Sequence, residues 1–68
     1  MNFRLMCEQE VDGCWIVAVL ELPGVLANGS FSAGAMAKAE VISLNVIADR
    51  LENGESEPVS IRFSFPRG

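Results

Sequence analysis

Acidic side chains and thiols are the groups in this sequence with the potential for chemistry. Histidine is absent from the chain, so a general base working near neutral pH would have to be a perturbed carboxylate, lysine or thiol. The spacing of the acidic residues converges on no metal or substrate, and charged side chains are mostly solvent-exposed. We therefore predict a protein that is not an enzyme and that needs no metal or cofactor. The carboxylates considered are Glu8, Glu10, Glu21, Asp49 and Glu52.

Two cysteines, Cys7 and Cys14, flank a predicted tight turn. They do not form a paired metal motif, and a zinc ion would lack histidine ligands. We interpret both as thiols that are buried or lie on a strand face, in a reducing compartment. Because the amino end lacks a signal-peptide pattern and no apolar run approaches the roughly 20 residues of a membrane span, we expect a cytoplasmic protein that does not enter membranes.

Small residues in the middle of the chain do not form a phosphate-binding loop. Gly24, Gly29 and Gly34 are not followed by the Gly-Lys-Ser/Thr sequence that such a loop requires. Ser30 and Ser32 precede a helix-like run, where a hydroxyl can cap the first turn. We interpret these serines first as candidate helix caps and only second as candidate nucleophiles.

The charge of the chain favours a protein partner over a nucleic acid. Nine acidic and five basic residues give a net charge of −4, and the pI is near 4.5. The basic residues are scattered along the sequence, whereas binding to a phosphate backbone needs a clustered basic surface. We expect no direct nucleic-acid binding by this chain alone, and the partner that the charge fits is a basic protein. The alternative is that mild acidity mainly keeps the protein soluble.

The length of 68 residues allows one small domain, residues 1–68. A domain of this size buries only about 60% of the surface that its unfolded chain exposes. Half of the residues are nevertheless hydrophobic. Some apolar surface is therefore expected to remain outside the core and to meet another chain.

Alternating apolar residues predict a strand over residues 3–11, with Phe3, Leu5 and Cys7 on one face. Asp12 and Gly13 form the pair preferred in a two-residue type I′ hairpin loop. Residues 14–22 are nearly all apolar and predict a central strand.

The junction over residues 21–30 then carries the chain through a third short strand, residues 25–27, into a helix from Ser32 to Glu52 that stops at Asn53 and Gly54. Strict alternation predicts a last strand over residues 59–65. The fold class is thus α+β with the order β-β-β-α-β, a mainly antiparallel sheet covered on one face by a single long helix.

The predicted helix has two apolar faces. One face is expected to cover the sheet, and it comprises Ala35, Met36, Ala39, Ile42, Val46 and Ile47. A helix in a single-layer monomer needs only one apolar face, so the other predicts contact with another subunit in a homo-oligomer, a dimer or tetramer. The alternative is that small alanines merely dilute an exposed face. The predicted oligomer interface comprises Val41, Leu44, Ala48 and Leu51, with Ala37 on the same side.

Several short motifs resemble the amino-terminal domain of HicB-type antitoxins. They are a first strand, a DG turn, the aromatic-led run WIVAVLELPG, the segment VLANGS and a helix that opens FSAGAMAKA, and the resemblance as a whole covers residues 3–65. Trp15 also has a second interpretation, as a cross-strand packing residue in the hairpin. The motif positions are Asp12, Gly13, Trp15, Glu21, Leu22, Pro23, Gly24, Asn28 and Gly29.

The resemblance implies a partial ribonuclease-H-like fold and neutralisation of a small basic HicA-type mRNA-cleaving toxin by protein–protein binding. Ala33 and Gly34 stand where members of the family commonly have an acidic pair. The family's DNA-binding tail has no counterpart in these 68 residues, so we do not expect autorepression by this chain alone. The expected partner-binding residues are Glu21, Leu22, Val25 and Leu26.

Two further hypotheses remain open. The chain can be a stand-alone oligomeric HicB-like interaction or regulatory module without a toxin partner. It can also be an RNA-processing enzyme descended from the ribonuclease-H-like fold, in which case metal-dependent cleavage would depend on Glu8, Glu10 or Glu21.

Overall fold

A computed structural model describes residues 1–55, 58 and 60–65 of the chain. Within them the element order is β-β-β-α-β, as the sequence predicts. The elements are β1 (Asn2–Gln9), β2 (Trp15–Val19), β3 (Leu26–Gly29), α1 (Ser32–Glu52) and β4 (Arg62–Ser64).

The strands form one sheet in the order β3-β2-β1-β4, with α1 packed on one face. β1 pairs with β2 and β2 with β3 in antiparallel fashion, whereas β4 pairs with β1 in parallel fashion. The parallel pairing of β4 with β1 is possible because α1 returns the chain across the sheet before β4 begins. The prediction of a mainly antiparallel α+β sheet covered by one helix is confirmed.

The first hairpin differs from the two-residue type I′ turn that Asp12 and Gly13 predicted. A type I′ turn needs positive φ at both central residues, but only Gly13 has one here, with φ 91°. The N–H of Glu10 donates to the Cys14 carbonyl, and the N–H of Gly13 donates to the Glu10 carbonyl. This is a three-residue loop in which a turn is followed by a left-handed glycine. Asp12 Oδ1 accepts a hydrogen bond from the Cys14 N–H and stabilises the loop.

The strands are mostly shorter than the sequence predicted, and their boundaries are shifted. β1 ends at Gln9 and β2 covers only Trp15–Val19 of the apolar run. β3 lies one residue later than expected and runs to Gly29. β4 covers three residues of the predicted 59–65, and Val59 lies outside the described residues.

The helix begins and ends where the sequence predicts, but its first turn is capped differently. Phe31 is the N-cap, without a side-chain hydrogen bond, so neither Ser30 nor Ser32 serves as the cap. At the other end the N–H of Gly54 donates to the Leu51 carbonyl and the N–H of Glu55 to the Arg50 carbonyl. This pair of bonds is the Schellman motif that commonly ends helices.

The core lies between α1 and the sheet. The sheet contributes Phe3, Leu5, Val17 and Val19 to the core. The helix contributes Ala35, Ala39 and Ile47, which are buried as expected.

One buried helix residue departs from the expected pattern. Ser43 is fully buried on this face, and its hydroxyl donates to the Ala39 carbonyl at 2.7 Å. Ile42, expected in the core, is instead partly exposed. Ser43 can be buried because its hydroxyl is hydrogen-bonded within the helix. The buried residues Ala35, Ala39, Ser43 and Ile47 are spaced four apart, and Ile42 lies beside this row.

Candidate protein-binding surfaces

The ELPG segment begins with an ion pair that ties the junction to β1. The Glu21 carboxylate accepts hydrogen bonds from the Arg4 backbone N–H at 2.6 Å and from Arg4 Nε at 2.5 Å. The Arg4 carbonyl accepts a hydrogen bond from the Leu20 N–H. Just after the end of β2, the Glu21 carboxylate therefore binds the Arg4 N–H, so that both backbone groups of Arg4 are paired. Glu21 was expected to bind a partner, yet both of its oxygens are used within the chain.

These contacts lower the pKa of Glu21. The largest cause is the hydrogen bond from the Arg4 backbone N–H, and the second is the bond from the Arg4 side chain. Both favour the charged carboxylate, and the slight burial opposes them. Because the folded-state pKa lies below that of the unfolded chain, the contribution of Glu21 to stability is fully present above its usual value of 4.5 and is lost as the pH falls through the folded-state pKa.

We expect Glu21→Gln to be less stable than the unmodified chain at pH 7 and to show a weaker loss of stability between about pH 5 and pH 3. Urea unfolding followed by circular dichroism at a series of pH values measures this. Glu10→Gln removes an exposed carboxylate outside the Arg4 contacts and is the control, which should change the free energy of unfolding at pH 7 by no more than about 0.5 kcal/mol. Parallel curves for the unmodified chain and Glu21→Gln would contradict a role for the Arg4 contacts.

Leu22 and Val25, two of the expected partner-binding residues, belong to the core. They are 4% and 8% exposed. The Val25 N–H donates to the Leu22 carbonyl across Pro23 and Gly24, with φ 92° at Gly24. Proline followed by a left-handed glycine is the pattern of a type II turn, and this turn directs both flanking side chains inward. They therefore cannot contact a partner while the domain is folded, which leaves Leu26 as the accessible apolar residue of the set.

Asn28 and Gly29 do not adopt the positive φ expected from their types. Gly29 is instead required by a close approach to the helix. A Cβ added there would lie 3.1 Å from the Ala35 backbone nitrogen, tighter than ordinary van der Waals contact. The absence of a side chain thus lets β3 pack against the first turn of α1.

Trp15 lies half-buried on the helix-facing side of the sheet, where it packs against the core. This agrees with its interpretation as a packing residue of the hairpin. Gly29 is its direct neighbour on β3. Trp15 is therefore not part of the exposed surfaces described below.

The face of the sheet opposite α1 carries exposed apolar side chains. Met6, Ala18 and Leu26 lie side by side across β1, β2 and β3, and Met6 and Leu26 are 57% and 63% exposed. The surface is bordered at its hairpin end by Glu8 on β1 and by Asp12 in the loop that follows, both of which are exposed. This open face is formed by Met6, Ile16, Ala18, Leu20 and Leu26.

The predicted oligomer interface lies on the outer side of α1. Val41, Leu44 and Leu51 are exposed to different degrees, and Ala48 is exposed as well. We call this set the outer helix row. Its exposure means that these side chains are free to contact another chain, whereas oligomerisation itself stays a prediction.

A third apolar surface surrounds the free edge of β3. It is a groove of about 530 Å³ between the edge strand and one side of α1. Its floor and walls are mostly aliphatic, and the single ionisable side chain is Lys38. This β3 groove is lined by Ile16, Leu26, Ala27, Asn28, Ala37, Lys38, Val41 and Ile42.

Within residues 1–55, 58 and 60–65, no three His, Cys, Asp or Glu side chains come close enough to hold a metal ion. Both cysteines are free thiols. Cys7 is half-buried on β1, as expected, whereas the expectation was wrong for Cys14, which is exposed in the loop before β2. In the part of the chain that the structure describes, no helix has the length and apolar character needed to cross a membrane.

The chain was compared with family models, with curated proteins and with solved structures, and none of them matches it. The surfaces are therefore interpreted from their own geometry and chemistry.

Proposed function

We propose that this chain is a HicB-like antitoxin domain that acts in the cytoplasm. In this proposal it neutralises a small basic HicA-type mRNA-cleaving toxin by protein–protein binding and catalyses no reaction itself. The observation that carries the proposal is the open face, which is an apolar surface with acidic residues at one end. Protein-binding surfaces commonly combine an apolar centre with a polar rim.

The open face supplies the apolar centre of the proposed interface. Met6 and Leu26 are large side chains that remain more than half exposed in the folded domain. Covering them with a partner removes apolar surface from water, at roughly 25 cal/mol for each Å² buried. In a typical interface a few residues at the buried centre supply most of the affinity.

Acidic groups at the hairpin end supply the charge complementarity. Glu8, Glu10 and Asp12 are exposed, and the chain as a whole has a net charge of −4. This arrangement attracts a basic partner and orients its positive surface towards the open face. In the proposed complex the domain occupies the RNA-binding face of the toxin and shields its catalytic histidine, so inhibition is steric and electrostatic.

The element order and the ELPG turn also support the proposal. Every residue of that turn contributes to the fold, because Glu21 pairs with Arg4, Leu22 enters the core, and Pro23 with Gly24 reverses the chain. A turn that fixes the end of β2 and the start of β3 also fixes the position of Leu26. The motif thus acts by shaping the open face rather than by contacting the partner.

Co-expression with a small basic toxin encoded by the neighbouring gene tests the proposal. We expect a stable complex and relief of toxicity with the unmodified chain. Met6→Asp should weaken the complex about tenfold or more, because it places a charge at the centre of the buried surface. Glu8→Lys combined with Glu10→Lys should slow association and reduce its dependence on salt.

Leu44→Asp is the matched control, since it introduces the same charge on the helix side of the domain. It should bind the toxin as the unmodified chain does. The absence of any stable complex, together with unrelieved toxicity, would overturn the proposal.

A second candidate function is a stand-alone oligomeric HicB-like module without a toxin. The exposed outer helix row favours it, because exposed Val41, Leu44 and Leu51 are available to a second subunit. A genome in which no small basic toxin gene lies beside this one would support it. Metal-dependent RNA cleavage that is lost on replacing Glu8, Glu10 or Glu21 would instead support the enzymatic hypothesis.

A further inference from the structure

The hydrogen-bonding pattern of the sheet fixes which backbone groups of β3 point outwards. Leu20 bonds to Arg4 and Glu10 bonds to Cys14 between β1 and β2. In an antiparallel ladder, bonded and non-bonded pairs alternate. The even-numbered residues of β2 therefore bond to β1, and Trp15 and Val17 bond to β3.

On β3 the partners of Trp15 and Val17 are Gly29 and Ala27. These two residues use their backbone groups towards β2, so the N–H and C=O groups of Leu26 and Asn28 point away from the sheet. β3 is an edge strand, and neither Leu26 nor Asn28 makes a backbone hydrogen bond to any other segment among the described residues. The edge thus presents two donors and two acceptors.

The β3 groove extends to both sides of this edge. Leu26 and Ile16 belong to the open face, while Val41 and Ile42 come from the helix side. A strand added to the edge would therefore find apolar contacts for side chains on both of its faces. An edge with this lining is suited to strand addition, the binding mode in which another chain extends the sheet.

The charge of the groove indicates which chain can occupy it. The sequence has a net charge of −4, so two copies repel each other on balance. The lining of the groove contains no carboxylate and one lysine, Lys38. This is a face on which two acidic copies can approach without placing carboxylates against each other.

We propose that the occupant of the β3 groove is β3 of a second copy of this chain, in a two-fold symmetric dimer. An antiparallel pair centred on Ala27 brings Leu26 of each copy opposite Asn28 of the other. These positions carry the outward groups, so four inter-chain hydrogen bonds form. The sheet becomes continuous across the axis, and the two helices lie antiparallel on the same side.

The residues of β3 that face the helix side suit this arrangement. Ala27 and Gly29 are the smallest side chains of the strand, and Ala27 lies on the axis. Small residues at this point leave space for Val41 and Ile42 of the two copies to meet above the joined strands. A patch that contacts itself in this way is the isologous interface of a typical homodimer.

Light scattering and sedimentation of the purified full chain test the dimer. We expect Val41→Asp to raise the dissociation constant about tenfold or more, since it introduces a charge into the groove. Leu44→Asp adds the same charge to the outer helix row, outside the groove lining, and should leave the dimer intact. Loss of the dimer in both variants would place the interface on the outer helix row and overturn the proposal.

Amide hydrogen exchange tests the same interface without any substitution. In the dimer the outward N–H groups of Leu26 and Asn28 are bonded, so their exchange should be slow at high protein concentration and faster on dilution. A monomer at all concentrations, or fast exchange at both amides within a dimer, would contradict strand pairing. A chain that is monomeric alone and protected only when a different protein is added would show that the edge serves a foreign strand.

Disulfide trapping tests the register. In a non-bonded antiparallel pair the Cα atoms lie about 4.5 Å apart, within the range of about 4.4–6.8 Å that a disulfide spans. Ala27→Cys, made together with Cys14→Ser, should give a covalent dimer on adding oxidised glutathione, which accepts two electrons and two protons from the two thiols. Ala18→Cys in the same background lies one strand inward on the open face and should remain uncrosslinked.

The dimer does not rest on the toxin-binding proposal. Val41 lies in the groove and Met6 on the open face, so each surface has its own disruptive variant. Failure of Met6→Asp to affect the toxin would leave the dimer untouched, and a monomeric chain would leave the open face available.

Discussion

Replacing Phe3 with alanine is expected to leave the domain largely unfolded at 25 °C. Phe3 is 2% exposed, and its ring lies 5.6 Å from that of Phe63 between centroids. Truncating a buried phenylalanine costs about 3–5 kcal/mol, and the core of a domain this small rarely supplies more than about 3–5 kcal/mol of stability. Far-UV circular dichroism with urea titration measures the loss.

Phe65→Ala is the control, because it removes a phenylalanine ring from an exposed position. Phe65 is 50% exposed, so Phe65→Ala should change the free energy of unfolding by no more than about 0.5 kcal/mol. Phe3→Leu keeps the site apolar and removes less volume, so it should cost less than Phe3→Ala, which keeps the effect measurable if the alanine variant does not fold. A Phe3→Ala chain that unfolds with the same midpoint as the unmodified protein would show that the contact between β1 and β4 is dispensable.

The sequence predicts the helix best because its ends are local features. Ser32 to Glu52 contains no proline, and Asn53 with Gly54 provides the residue types of a Schellman ending. The order of elements follows from these ends and from the alternation in the strands. These signals depend on neighbouring residues alone, so no tertiary contact is needed to interpret them.

Features that depend on tertiary contact were predicted less well. Ser43 is a polar residue, yet its bond to the Ala39 carbonyl allows it to be fully buried on the sheet-facing side of the helix, whereas Ile42 is partly exposed. Asp12 and Gly13 have the composition of a two-residue loop, but the register between β1 and β2 selects a three-residue loop. In both cases the packing of the whole domain overrides a local preference.

The candidate binding surfaces show the same difference between local features, which the sequence predicts, and features that depend on tertiary contact. The ELPG segment was recognisable as a turn, and the exposed outer side of the helix followed from its periodicity. The direction of each side chain in the turn was not predictable, because it depends on the Glu21–Arg4 contact and on the left-handed φ of Gly24. The β3 groove was also missed, since its walls come from β2, β3 and α1, which are brought together only in the folded chain.

Replacing two leucines of the expected partner-binding set with alanine should have very different effects on the free energy of unfolding. Leu22→Ala removes a side chain that is 4% exposed and should lower the free energy of unfolding by about 2–5 kcal/mol. Leu26→Ala truncates a side chain that is 63% exposed and should change it by no more than about 0.5 kcal/mol in the monomer. Urea unfolding at low protein concentration measures both values.

Binding assays on the same pair separate folding from recognition. Because Leu26 belongs to both the open face and the β3 groove, Leu26→Ala should weaken association at a fold stability close to that of the unmodified chain. The folded fraction of Leu22→Ala should bind with the affinity of the unmodified chain, since the Leu22 side chain contacts no partner. The total binding should therefore fall only by the fraction that is unfolded. A Leu22→Ala chain that is fully folded yet deficient in binding would return Leu22 to the recognition surface and contradict its place in the core.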